Sequence, residues 1–149
     1  MSDKSNPPED DPKFGDQEKE NLRNQFDHAR EEVTREDIAY VLSKADHTAK
    51  RLEDSSQSWV QQLGKQARLL WELLSAWWKD EYELPWRVVA AITAALLYLV
   101  NPYDLFFDIL PFVGWLDDAM ILKFAYNLAK SDLRAYALHK GYALEEYGL

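Results

Sequence analysis

The chain contains no cysteine, which excludes thiol catalysis, disulfides and Cys-ligated zinc and is compatible with a reducing compartment. Turn formers are scarce as well, with 5 Gly and 6 Pro in 149 residues. Three of those prolines, Pro7, Pro8 and Pro12, crowd into the first sixteen positions. So few punctuating residues point to long helices joined by short links rather than to many strands. Positive charge is also in deficit: 17 Lys and Arg face 26 Asp and Glu, for a net charge of −9. Binding nucleic acid requires clustered cations to neutralise phosphates, so that class of partner is excluded. There is no GxSxG, HExxH or glycine-rich phosphate loop, and nothing in the chain reads as an enzyme. The N-terminus lacks the apolar core of a signal peptide, so secretion by that route is not expected.

What the chain does have is apolar and aromatic mass: 47% hydrophobic residues, with 6 Trp and 8 Tyr. A length of 149 residues suits one domain able to bury its own core. Residues 1–16 are acidic and proline-rich and read as a disordered tail. Residues 17–33 are charged, with only Leu22, Phe26 and Ala29 at helical spacing, and read as a weakly anchored helix. From Thr34, a capping residue followed by Asp37, an apolar stripe through Ile38, Val41, Leu42, Ala45, Ala49 and Leu52 defines a helix over about 35–53. Asp54 to Ser58 interrupt it, and periodicity resumes through Val60, Leu63, Ala67, Leu70, Trp71, Leu74 and Trp78.

Pro85 then opens a helix of different character. Val88 to Val100 carries no charged side chain, and a helix apolar all round sits either at the centre of a bundle or in lipid. It ends at Asn101-Pro102, where Asn101 can cap and Pro102 can open a short helix from Tyr103 to about Leu110. Pro111 and Gly114 interrupt that helix. A further helix starts at Asp117-Asp118 and runs to about Leu138, with Gly141 as its stop and residues 141–149 as a frayed end. The fold is therefore expected to be all-α, a bundle of about five helices around a central apolar hairpin. Its domain spans 34–140.

The run ALLYLVNPYDLFFDILPFVGWLDDAMIL, Ala95 to Leu122, resembles the signature of the YkvA-like family, the domain of unknown function DUF1232. That pattern reads ALLYxxxPxDLIPDxIPxxGxxDDAxxL. Pro102, Asp104, Leu105, Asp108, Pro111, Gly114, Asp117, Asp118 and Ala119 meet it without gaps. Phe107 is a departure, since the family usually places proline before its second aspartate. The resemblance extends to VTREDIAYVL at Val33 to Leu42, to Pro85-Trp86, and to SDLRAY at Ser131 to Tyr136. It implies an uncharacterised helical domain, often expected in membranes.

Asn101, Pro102, Asp104, Asp108, Pro111, Gly114, Asp117 and Asp118 are thus the candidate functional residues. Asp104 and Asp108 are i, i+4 and share a helix face, and Asp117 and Asp118 follow a turn that could return them to it. Four carboxylates of this kind suit Mg²⁺ or Ca²⁺. The alternative is structural: Asp104, Asp117 and Asp118 sit where acids stabilise helix starts. Asp108, among apolar neighbours, would need a partner such as Arg87 or Lys123. The structural reading is the stronger, a metal site comes second and paired acid–base catalysis a distant third. His28, His47 and His139 form no ligand spacing and read as surface residues.

The membrane question divides the evidence. Thirteen apolar residues in Val88–Val100 fall short of the roughly 20 that span a bilayer. The second stretch, Leu105 to Leu122, contains Asp108, Pro111, Asp117 and Asp118. Yet Trp71, Trp77, Trp78, Tyr82 and Trp86, with Lys79 and Arg87, resemble an interfacial belt, although packing of a helical core is the stronger reading of these Trp residues. Lys123, Lys130 and Arg134 would keep both flanks of a hairpin on the cytoplasmic side. The favoured function is a non-enzymatic helical scaffold or interaction module, associated with a membrane or a membrane protein through its hairpin. A soluble bundle whose aspartates bind a divalent cation is the alternative.

Overall fold

A computed structural model describes residues 15–100 and 116–149, with side chains from residue 119 onward in the second stretch. Every regular element among the described residues is helical. They are α1 (Asp16–Glu31), α2 (Arg35–Glu53), α3 (Ser58–Trp78), α4 (Trp86–Val100), α5 (Leu116–Leu128) and α6 (Lys130–Lys140), closed by a 3₁₀ turn at Leu144–Tyr147. The expected all-α bundle is therefore observed. The expected short helix from Tyr103 to Leu110 and most of the N-terminal tail lie outside the described residues.

Local chemistry sets the boundaries. Thr34 Oγ1 accepts from the Asp37 amide at 3.2 Å, and the Thr34 amide donates to Asp37 Oδ2 at 2.9 Å. This reciprocal box starts α2 where the sequence places it. At the far end of α3, Asp80 adopts φ 63°. Its amide donates to Trp77 O at 3.0 Å and the Glu81 amide to Ala76 O at 2.8 Å. That pair of bonds is a Schellman stop, built here on aspartate in the left-handed region where glycine is usual.

α2 and α3 form the tightest pair, an antiparallel hairpin closed by residues 54–57. Gly64 makes the approach possible, since a Cβ there would lie 2.6 Å from Glu53 N and 2.8 Å from Ala49 O. Higher along the pair, Trp71 Nε1 donates to Leu42 O at 2.9 Å. α4 then runs through the centre of the molecule, packed by α1, α2, α3 and α5. All of Val88 to Leu99 is buried. Its polar side chains are partnered: Thr93 Oγ1 donates to Val89 O at 2.8 Å, and the Tyr98 hydroxyl donates to Gln25 Oε1 of α1 at 3.3 Å. The helix apolar all round is thus a bundle core, covered by protein on every side. At 15 residues it is about 22 Å long, and no described helix is long and apolar enough to cross a membrane.

Three expectations need correction. α1 is firmly anchored: Leu22 and Phe26, one helical turn apart, are buried against α4 and α5. Phe26 meets Phe124 at 5.9 Å, and the Arg23 guanidinium lies 4.2 Å from the centre of the Phe124 ring. Few apolar residues suffice when both are fully used and basic side chains cover the rings. The helix expected from Asp118 to Leu138 is instead two, broken at Ala129 (φ −97°, ψ 8°). Finally, residues 141–149 are not frayed. Gln62 and Gln66 donate to the carbonyls of Glu146 and Tyr147, the Tyr126 hydroxyl also donates to Tyr147 O at 2.7 Å, and Arg134 donates to Leu149 O at 2.6 Å.

Candidate interaction surfaces

Of the signature residues, Asn101, Pro102, Asp104, Asp108, Pro111 and Gly114 lie outside the described residues. Asp117 and Asp118 fall in the first turn of α5, but their side chains are also outside the described set. No group of three or more His, Asp or Glu capable of holding a metal occurs among the described residues. His28, His47 and His139 are all exposed and on different helices.

What the described residues do assemble is an aromatic corner where α3 ends and α4 begins. Trp77 lies between Trp78 and Trp86, with ring centroids 6.4 Å apart in each pair. Trp78 is 36% exposed and Trp86 52%. The Arg35 guanidinium, in the first turn of α2, lies 4.7 Å from the Trp78 ring centre, so the start of α2 completes the corner through a cation–π contact. Lys79 and Arg87 are exposed beside it, as are Asp80, Glu81 and Glu83 in the connecting loop. Of the residues that resemble a belt in the sequence, Trp78 and Trp86 are exposed at this corner. Trp71 is instead turned into the α2–α3 pair, and Tyr82 packs edge-on against Tyr136 at 5.6 Å.

A second feature was not legible in the sequence. On α3, Glu72 Oε1 accepts from the hydroxyls of Tyr136 at 3.3 Å and Tyr142 at 2.8 Å. Tyr142 stacks on Tyr147 at 5.6 Å. Burial first, then the neighbouring Glu72 charge, raises the Tyr136 phenol. Burial and the hydrogen bond to Glu72 push Tyr142 up to about 12. The cluster clips the C-terminal segment to α3 and holds no reacting group beyond these paired phenols.

A third feature is a groove of ≈ 490 Å³ between the first half of α3 and α5. Trp59, Gln62, Gln66, Lys123, Asn127 and Lys130 are among its lining residues, and no Asp or Glu is among those described. Lys65, nearby on α3, is engaged with Glu146 at 3.9 Å, whereas Lys123 and Lys130 make no ion pair among the described residues.

These surfaces can be set beside known proteins. Residues 88–124 match the family model described as "Protein of unknown function (DUF1232)". The chain is also 32% identical over 66 residues to the "Uncharacterized membrane protein YkvA" of Bacillus subtilis (strain 168). That match covers 44% of this chain and spans 62% of the relative's length. No solved structure matches significantly. The matched family segment begins within the buried α4, crosses residues 101–115 and ends in α5. In its signature, in the segment matched by the family model and in this relative, the chain is similar to the YkvA-like DUF1232 family.

Proposed function

We propose that this protein is a non-enzymatic helical interaction module that attaches to the surface of a membrane through its aromatic corner, without inserting its hairpin helices. The name of the Bacillus relative supports the membrane. The observation that carries the mode of attachment is the burial of α4 from Val88 to Leu99 against four other helices. Lipid contact along α4 would require the bundle to come apart, at the cost of most of its core. Trp78 and Trp86, by contrast, are already outside, and tryptophan favours the bilayer interface.

The charges around the corner specify how the contact works. Lys79 and Arg87 are balanced by Asp80, Glu81 and Glu83, so attraction to anionic lipid is weak and ring burial supplies the adhesion. Vesicle flotation tests this. The full chain should float with neutral phosphatidylcholine vesicles, with little change on adding salt. The double variant Trp78→Ala, Trp86→Ala should stay at the bottom while keeping its helical circular dichroism. A folded double variant that floats like the parent would refute the corner as the contact.

A further inference from the structure

The groove between α3 and α5 has Lys123 and Lys130 and no Asp or Glu among its described lining residues, in a chain of net charge −9. Lys123 and Lys130 stand on its α5–α6 side, exposed and without ion partners among the described residues. Opposite them stand Gln62 and Gln66, whose amide nitrogens donate to the carbonyls of Glu146 and Tyr147, and the half-buried Trp59, which offers an aromatic face. Such a groove suits an extended acidic segment that also carries proline, since aromatic-lined grooves take proline rings and amines take carboxylates.

The chain supplies such a segment. Residues 7–12 read PPEDDP, three consecutive carboxylates flanked by prolines. They lie a few residues before Gly15, where α1 begins. α1 packs on α5, with Phe26 and Arg23 against Phe124. α5 in turn packs on α3 and forms one wall of the groove. α1 and the groove are thus both in contact with α5, a helix about 10–12 Å wide with its side chains. Four to six residues separate Gly15 from Asp11 and Glu9, a reach of about 13–20 Å when extended.

We infer that the groove between α3 and α5 is the docking site of this chain's own N-terminal segment, with Glu9, Asp10 and Asp11 placed against Lys123 and Lys130 and the flanking prolines against Trp59. This goes beyond membrane attachment, which uses a different face. It makes the groove a site whose occupant competes with any acidic peptide offered from outside.

Zero-length carbodiimide coupling of the full chain, read by peptide mass spectrometry, decides the matter. Amide links should join Glu9, Asp10 or Asp11 to Lys123 and Lys130 within one chain, in preference to the exposed Lys44 and Lys140. Their yield should fall severalfold between ~0.01 M and ~1 M salt, as the screening length shrinks from about 30 Å to about 3 Å. The pair Lys123→Glu, Lys130→Glu, both surface changes, should abolish them. Adding Glu9→Lys and Asp10→Lys to that pair should restore links of the opposite polarity. Links spread over all exposed lysines, links that join two copies and vanish on dilution, or no links from the segment would each overturn the proposal.

Discussion

Two apolar regions of this chain meet at Trp86 and have opposite fates. From Val88 to Leu99 every residue of α4 is inside the bundle. One turn earlier, Trp86 and its neighbour Trp78 lie on the surface. A hydropathy profile would score the first region as the membrane candidate and pass over the second. Packing reverses the order, because apolar surface already buried against α1, α2, α3 and α5 is not available to lipid. What counts for attachment is apolar area left uncovered, and in tryptophan that area comes with a polar handle suited to an interface.

The sharpest way to separate the two regions is to weaken each in turn. Leu96→Ala removes a fully buried side chain of α4 and should cost about 2–5 kcal/mol in urea denaturation. It should leave vesicle flotation of the folded fraction unchanged. Gly64→Ala tests the core from its other side, at the α2–α3 contact. The new methyl would meet backbone atoms at 2.6 and 2.8 Å, so the helices must part, at about 1–3 kcal/mol or more.

Alkaline titration should reach the tyrosine cluster around Glu72. The Tyr142 phenol is raised to about 12 and Tyr136 is raised in the same direction. Their folded pKa values therefore exceed the ordinary value near 10. The stability they contribute is complete below about pH 10 and lost as pH climbs through about 12. Hydrogen exchange of residues 142–149 should accelerate in that window before the helices melt, and Glu72→Gln should narrow it.

Smaller effects belong to the corner itself. Thr34→Ala breaks the capping box that starts α2 beside Arg35 and should cost about 1 kcal/mol. Asp80→Gly relieves a left-handed aspartate at the α3 stop and should stabilise by up to about 1 kcal/mol. Thermal melts check both, and neither should alter the buried α4.

Much of the fold was legible in the chain. The limits of α2 and α4 follow from Thr34, Pro85 and the apolar periodicity, and the structure places them at Arg35–Glu53 and Trp86–Val100. α1 was underrated because periodicity counts apolar residues without seeing that Leu22 and Phe26 are wholly buried. The C-terminal segment was misread for a different reason. It is held by side chains from α3, α5 and α6 donating to its backbone carbonyls, and such bonds leave no pattern in the sequence they stabilise. The break at Ala129 carries no Gly or Pro to announce it. Of the proposed site, Trp78 and Trp86 were visible within a cluster of Trp, whereas the groove at Lys123 and Lys130 depends on which helices become neighbours.

The most direct measurement is alkaline carbonate extraction of the native membrane pellet containing the untagged chain. Surface attachment through Trp78 and Trp86, with α4 kept inside the bundle, requires release into the supernatant. Retention in the pellet would mean that the α4–α5 hairpin lies in lipid and that the bundle opens when it meets the membrane.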